Sequence, residues 1–202
     1  VSDDVTLLLA WREGDRQAGG ALIERNAPVL LRFFRNKVSG AVDDLVQQTF
    51  LTCVEHRDAI VQPERFRSYL LTVAHRVLIQ HYRIRSRDDR HFDPLTTSAW
   101  DIEATPSTLF VEAEERRLLV EALRRIPLTF QVALELYYWQ EMRGPELATV
   151  LDVPEGTVRS RLRRGRELLA EQMQKLASSE AVYEATVGDL DAWAASVRKA
   201  LG

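Results

Sequence analysis

From Val5 to about Ile84 apolar residues return every three or four positions, the period of helices that bury one face. The pattern predicts helices near 4–13, 15–38, 43–56 and 64–85, with Gly19-Gly20, Ser39-Gly40 and Gln62-Pro63 as punctuation. A second block repeats the period near 107–125, 128–140, 145–151 and 155–176. There Pro127 separates the first two helices, and Gly144-Pro145 suits the N-cap and first position of the third. No segment sustains strand alternation, so the class is all-α: two small helical domains, 1–87 and 107–177. Residues 88–106, with Pro94, Thr96-Thr97-Ser98, Thr105, Pro106 and many acids, read as an acidic flexible linker between them. Beyond Ser178-Ser179 the composition changes, and in the extension 178–202 a last helix near 189–201 carries Leu190, Trp193, Val197 and Leu201 on one stripe. A helix this short needs a partner surface. Packing on 107–176 is the simpler expectation, and docking across a binding face the sharper one.

The segment from Glu146 to Arg166 reads as a helix, a tight Asp152-Val153-Pro154 turn and a second helix studded with arginine. Winding the second helix at about 100° per residue brings Val158, Leu162, Gly165 and Leu169 onto one packing stripe. The opposite face carries Gly156, Thr157, Ser160, Arg163 and Arg164, with Arg159, Arg161 and Arg166 on its flanks. A helix lying in a DNA major groove needs this division, because base edges are met by the central face and phosphates by the flanks. Ala148 and Gly156 are the small residues expected near the contact between the two helices. A solvated charged face on a core helix is the plainer reading of the same arginines, but the turn and the one-sided cations favour DNA.

The 202 residues carry a net charge of −3, so attraction to nucleic acid must come from local patches. Two exist, from Arg65 to Arg90 and from Arg159 to Arg166, with an acidic stretch between them. A single cysteine allows no intrachain disulfide, no apolar run reaches membrane-span length, and the acidic start is unlike a signal peptide. The expectation is a cytoplasmic protein with no membrane insertion.

The helix from Phe66 to Arg85 mixes aromatics, histidines and arginines, a blend that suits melted DNA because rings stack on unpaired bases while cations track the backbone. Phe66, Val73, Val77 and Ile84 also fit a core, and Tyr69 and Tyr82 fit either role. Upstream, Asp43 to Leu51 offers Leu45, Phe50 and Leu51 to a core and projects Asp44, Gln47 and Gln48 to one side. Cys53 and His56 lie three apart without further ligands, and His75 and His81 fall on different helix faces, so no metal site is expected. No phosphate-binding glycine loop or nucleophile motif is present; neither an enzyme nor a cofactor is indicated.

The order of motifs resembles that of the extracytoplasmic-function (group IV) sigma factors of bacterial RNA polymerase over about residues 5–175. It rests on Asp44-Leu45-Val46-Gln47-Gln48-Thr49-Phe50-Leu51, on Phe66-Arg67-Ser68-Tyr69-Leu70 through Ala74-His75-Arg76, and on Glu155-Gly156-Thr157-Val158-Arg159-Ser160-Arg161-Leu162. The resemblance implies that the first block binds core polymerase and opens the −10 element, and that the second reads the −35 element as duplex. Asp44, Gln47 and Gln48 would face the clamp helices of the large catalytic subunit, and the second block the flap of the other large subunit. The loop Arg57 to Arg65, with Arg57 and Gln62, would hold a flipped base. Tyr69, His75, Arg76, Gln80 and Arg83 would border the melting strand, and Thr157, Arg159, Ser160, Arg161, Arg163, Arg164 and Arg166 would meet the −35 duplex. The linker would thread toward the catalytic cleft. An anti-sigma protein is a further partner such a factor can have.

The chain departs from the family pattern at Arg76, where asparagine is usual, at Gln80, where aspartate is common, and at Tyr69, where tryptophan is frequent. These positions bear on −10 sequence preference. Arg143 replaces a usual serine cap, Pro154 takes a place often held by serine, and residues beyond about 178 lie past the usual end of the family. The rival is a helix-turn-helix operator-binding regulator that acts without core polymerase; it leaves the aromatic-basic helix and the acidic linker without a purpose.

Overall fold

A computed structural model of the chain describes residues 3–60, 62–86, 92–102 and 114–177. The extension 178–202 and its expected helix, and residues 107–113 of the expected fifth helix, lie outside the described residues. The fold is all-α. Among the described residues the only extended pairing is an isolated bridge between Ser98 and Pro127.

The first half contains α1 (Asp3–Arg12), α2 (Arg16–Arg35), α3 (Val42–Glu55) and α4 (Phe66–Arg85). Asp15 caps α2, its carboxylate accepting from the N–H groups of Gln17 at 2.8 Å and Ala18 at 3.1 Å. Gly19 and Gly20, named as punctuation, lie inside α2, within the helix expected over 15–38. A Cβ on Gly19 would sit 2.5 Å from Trp11 Nε1, so this glycine lets the Trp11 ring of α1 lie flat on α2. Two short 3₁₀ turns, Arg57–Ala59 and Pro63–Arg65, carry the chain from α3 into α4.

The second half contains α6 (Glu114–Arg125), α7 (Leu128–Tyr138), α8 (Gly144–Leu151) and α9 (Glu155–Leu176). The N-cap of α8 is Arg143, one residue earlier than expected, with Gly144 and Pro145 inside the first turn. An arginine side chain has no acceptor, so the cap comes from Glu146, whose carboxylate accepts from the Arg143 N–H at 3.1 Å. Gly156 does not sit at a helix contact as expected; the glycine of α9 that does is Gly165, which faces α7. A Cβ there would lie 3.2 Å from Leu134 Cγ, whereas one on Gly156 would meet open space.

The described part of the expected flexible linker is packed. Residues 99–102 form α5 (Ala99–Ile102), and the carbonyls of Pro94 and Thr97 accept from the first N–H groups of α7, Thr129 and Leu128, at 2.9 Å each. Phe92 stacks on Tyr82 of α4 at 5.8 Å, and Arg125 lies 4.4 Å over the Trp100 ring. The halves themselves meet along a seam where α8 lies against α4 and α7 faces the end of α2. Their apolar residues form one contiguous core.

Candidate nucleic-acid interface

The helix-turn-helix is built by three local choices. Asp152 ends α8 in the left-handed region at φ 52°, which aspartate tolerates better than branched residues. Pro154 then fixes φ at −58° and caps α9, its carbonyl accepting from the N–H groups of Thr157 at 2.9 Å and Val158 at 3.1 Å. From there Val158, Leu162, Gly165 and Leu169 are buried, as the stripe predicted, and Met173 continues it. Gly156, Arg159, Ser160, Arg163 and Arg164 are exposed on the other side, and Thr157 is half-buried.

The arginines differ in how free they are. Arg159 and Arg163 make no ion pair among the described residues, while Arg164 is tied to Glu167 at 3.1 Å and lies 3.6 Å from Glu171. Arg166 turns back to the protein: its Nε donates to Tyr138 Oη at 2.8 Å, and its guanidinium lies 5.6–5.7 Å from the rings of Tyr137 and Tyr138. Arg161 is half-buried, and desolvation lowers its pKa. The Ser160 hydroxyl donates to the Thr157 carbonyl at 2.9 Å, which leaves its lone pairs outward.

On the first half, Arg76, Gln80 and Arg83 are exposed along α4 and Tyr69 is half-buried. With Gln48 and Thr52 of α3, His56 at its C-terminal cap, Val150 and Leu151 of α8 and Asp152 at its cap, these residues line a cleft of about 640 Å³. His75, on the same wall, is half-buried, and its pKa falls to about 4 through desolvation first and the neighbouring Arg161 second. Tyr82 is no stacking platform. It is fully buried, and its hydroxyl donates to the Lys37 carbonyl. Ile84, expected in the core, is 72% exposed.

In α3, Leu45, Thr49, Phe50 and Cys53 face inward and Asp44, Gln47 and Gln48 outward. Leu51, assigned to the core from sequence, is 57% exposed and joins Gln47 and Val54 on one outward stripe. The i, i+4, i+7 spacing of 47, 51 and 54 was the signal for this placement. Burial pushes the Cys53 thiol up to about 12, which keeps it a protonated core residue.

The loop from Arg57 to Arg65 is held by a residue the sequence did not single out. Arg12 of α1 donates through Nε to the Arg57 carbonyl at 3.2 Å and through Nη2 to the Ile60 carbonyl. Arg57 lies 5.8 Å from the Trp11 ring and pairs with Asp58 at 3.5 Å, and Gln62 is exposed.

Two helical halves, one ending in a helix-turn-helix with an open cationic face, define a bipartite DNA-binding protein. Comparison with known proteins gives the family. Residues 22–88 match the family model for sigma-70 region 2, and residues 116–169 match that for sigma-70 region 4. The chain is 23% identical to the ECF RNA polymerase sigma-E factor of Haemophilus influenzae over 190 residues, covering 86% of this chain and 96% of that protein. It is 25% identical over 182 residues to the protein of that name in Escherichia coli K12, covering 86% and 95%. A solved structure of CnrH in complex with the cytosolic domain of CnrY shares the fold, with a TM-score of 0.61 at 20% identity, covering 87% of this chain and all of that one. The chain belongs to the ECF sigma factors of the sigma-70 family. It is an alternative sigma factor that directs transcription initiation, a role that takes core RNA polymerase and promoter DNA as partners. No helix among the described residues is long and apolar enough to cross a membrane.

Proposed function

We propose that the first half docks on core polymerase and opens the −10 element while the second reads the −35 element as duplex, the protein acting in the cytoplasm by binding and not by catalysis. The observation that carries this reading is the division of α9 into a buried apolar stripe and an open face bearing Arg159, Ser160 and Arg163. On that face Thr157, Ser160, Arg163 and Arg164 read base edges, and Arg159 meets phosphate. Arg161 and Arg166, held against the protein, take a lesser phosphate role. The exposed stripe of Asp44, Gln47, Gln48 and Leu51 on α3 meets the clamp helices of the large catalytic subunit, and the second half meets the flap of the other. The loop with Arg57 and Gln62 holds a flipped base, and Tyr69, His75, Arg76, Gln80 and Arg83 border the melted strand. CnrH is seen in complex with the cytosolic domain of CnrY, which supports an anti-sigma protein as a further partner here.

Run-off transcription with core polymerase on a library of upstream sequences tests the assignment. Arg163→Ala is expected to cost about 1–3 kcal/mol and relax preference at one −35 position. Equal loss on every upstream sequence would overturn the placement of α9 in the groove. Asp44→Arg with Gln47→Ala is expected to weaken core binding in a folded protein, and unchanged core affinity would remove α3 from the polymerase interface.

A further inference from the structure

An arginine that meets a phosphate is best held in place without losing its charge. Arg166 of α9 is held in this way by the end of α7. Its Nε donates to Tyr138 Oη at 2.8 Å, and its guanidinium lies 5.7 Å from the Tyr138 ring and 5.6 Å from the Tyr137 ring. The two rings meet edge to face at 5.0 Å, so Tyr137 braces Tyr138. Both partners are neutral. A phenol oxygen accepts a hydrogen bond and a ring face attracts a cation, yet neither cancels the charge. The carboxylate that α7 carries, Glu135, is buried against Lys37 at the seam instead. Arg164 shows the opposite arrangement: it pairs with Glu167 at 3.1 Å and lies 3.6 Å from Glu171, so a nucleic acid must compete with carboxylates for it.

The bond through Nε also decides which edge of Arg166 stays open. A guanidinium meets a phosphate through two parallel N–H groups, and with Nε engaged the remaining fork is Nη1 and Nη2. Among the described residues neither of these atoms has a hydrogen bond or ion pair. Arg166 follows Arg159 by seven residues, which puts it within about 20° on the helix wheel and about 10 Å further along the axis. The two therefore share one edge of α9. Arg159 is exposed and has no ion pair among the described residues, so that edge is cationic over about two turns.

Fixing a side chain beforehand in the geometry it needs strengthens binding, because the cost of ordering it has already been met. We infer that Tyr138, braced by Tyr137, is a positioning residue for −35 binding. It aims the Nη1 and Nη2 edge of Arg166 at a backbone phosphate on the groove wall that Arg159 meets, and it leaves the charge whole. This rests on the assignment of α9 to the −35 duplex.

The test is binding of the full-length factor, assembled with core polymerase, to upstream duplexes carrying different −35 sequences, followed by fluorescence anisotropy from about 50 to 200 mM salt. Arg166→Ala is expected to weaken every sequence alike and to lower the slope of log affinity against log salt by about one. Tyr138→Phe keeps the ring and removes the acceptor. It is expected to weaken binding about fivefold on every sequence, the worth of about one net hydrogen bond. Added to Arg166→Ala it should change nothing further, whereas a residue that only supports the fold would subtract again. Tyr138→Glu still accepts from Nε but answers the charge, and should lower the salt slope by about one with helicity unchanged. Full affinity in folded Tyr138→Phe, a second loss in the double variant, or a wild-type salt slope in folded Tyr138→Glu would each overturn the inference. Failure of the −35 assignment looks different: Arg163→Ala and Arg166→Ala would then both leave duplex binding unchanged.

Discussion

Acid should loosen the seam between the two halves through His75. In the seam the imidazole is held neutral, its pKa lowered to about 4 by desolvation and by the cations Arg161, Lys37 and Arg76. Once the halves part, the ring returns to solvent and to its ordinary value near 6.5. Between those two values the open form binds more protons, so closure is at full strength above about pH 6.5 and weakens as pH falls toward 4. At pH 5 the linkage amounts to about a thirtyfold shift toward opening, or ~2 kcal/mol. Because part of the ring remains in contact with water, screening trims this to ~1–2 kcal/mol. The assay is the distance between dyes on Glu24→Cys and Lys175→Cys, both exposed positions, followed from pH 7.5 to 5.0 beside far-UV circular dichroism. Wild type should lengthen with its helicity intact. His75→Gln, which can still donate to the Val150 carbonyl but does not titrate in this range, should stay closed over the same interval. A flat wild-type profile, or an identical response from His75→Gln, would refute the reasoning.

Three further outcomes are expected. Gly165→Val should destabilise the second half by about 1–3 kcal/mol in urea unfolding, because its side chain must enter space already within 3.2 Å of Leu134. Tyr82→Phe should lower stability by about 1–2 kcal/mol, by leaving the buried Lys37 carbonyl unbonded. It should leave −10 preference unchanged in the folded protein, where a stacking role would alter it. Arg12→Ala should slow opening of duplex promoters more than use of pre-melted ones, since it frees the loop carbonyls of Arg57 and Ile60 without touching α4; equal defects on both templates would assign Arg12 to folding alone.

The elements with a local signature were legible in the sequence. The α9 stripe is spaced at 158, 162, 165 and 169, and all four residues are buried; Asp44, Gln47 and Gln48 are exposed as their phase on α3 required. What escaped notice depends on partners far along the chain. Lys37 follows an asparagine in a turn, a context that reads as surface, and only its meeting with a carboxylate 98 positions later buries it. The helix wheel turns Arg166 to the flank of the DNA face, and it does not show that Tyr138 of α7 accepts a hydrogen bond from its guanidinium. Leu51 has the hydropathy of a core residue but the phase of Gln47 and Val54 on α3, and the phase decides its exposure. The linker was read as flexible from its prolines, threonines and acids, which say nothing about whether its carbonyls find donors at the start of another helix.

Those carbonyls bear on where the protein can be cut. The first turn of any helix leaves N–H groups without internal partners, and in α7 two of them are satisfied by Pro94 and Thr97. A fragment beginning at 107, the boundary composition suggests, therefore exposes Leu128 and Thr129 at the start of the helix that carries Glu135. One beginning at 92 carries its own cap. The second half is thus best regarded as starting within the linker, and any ligand that draws the linker away also frays the helix bearing half of the seam.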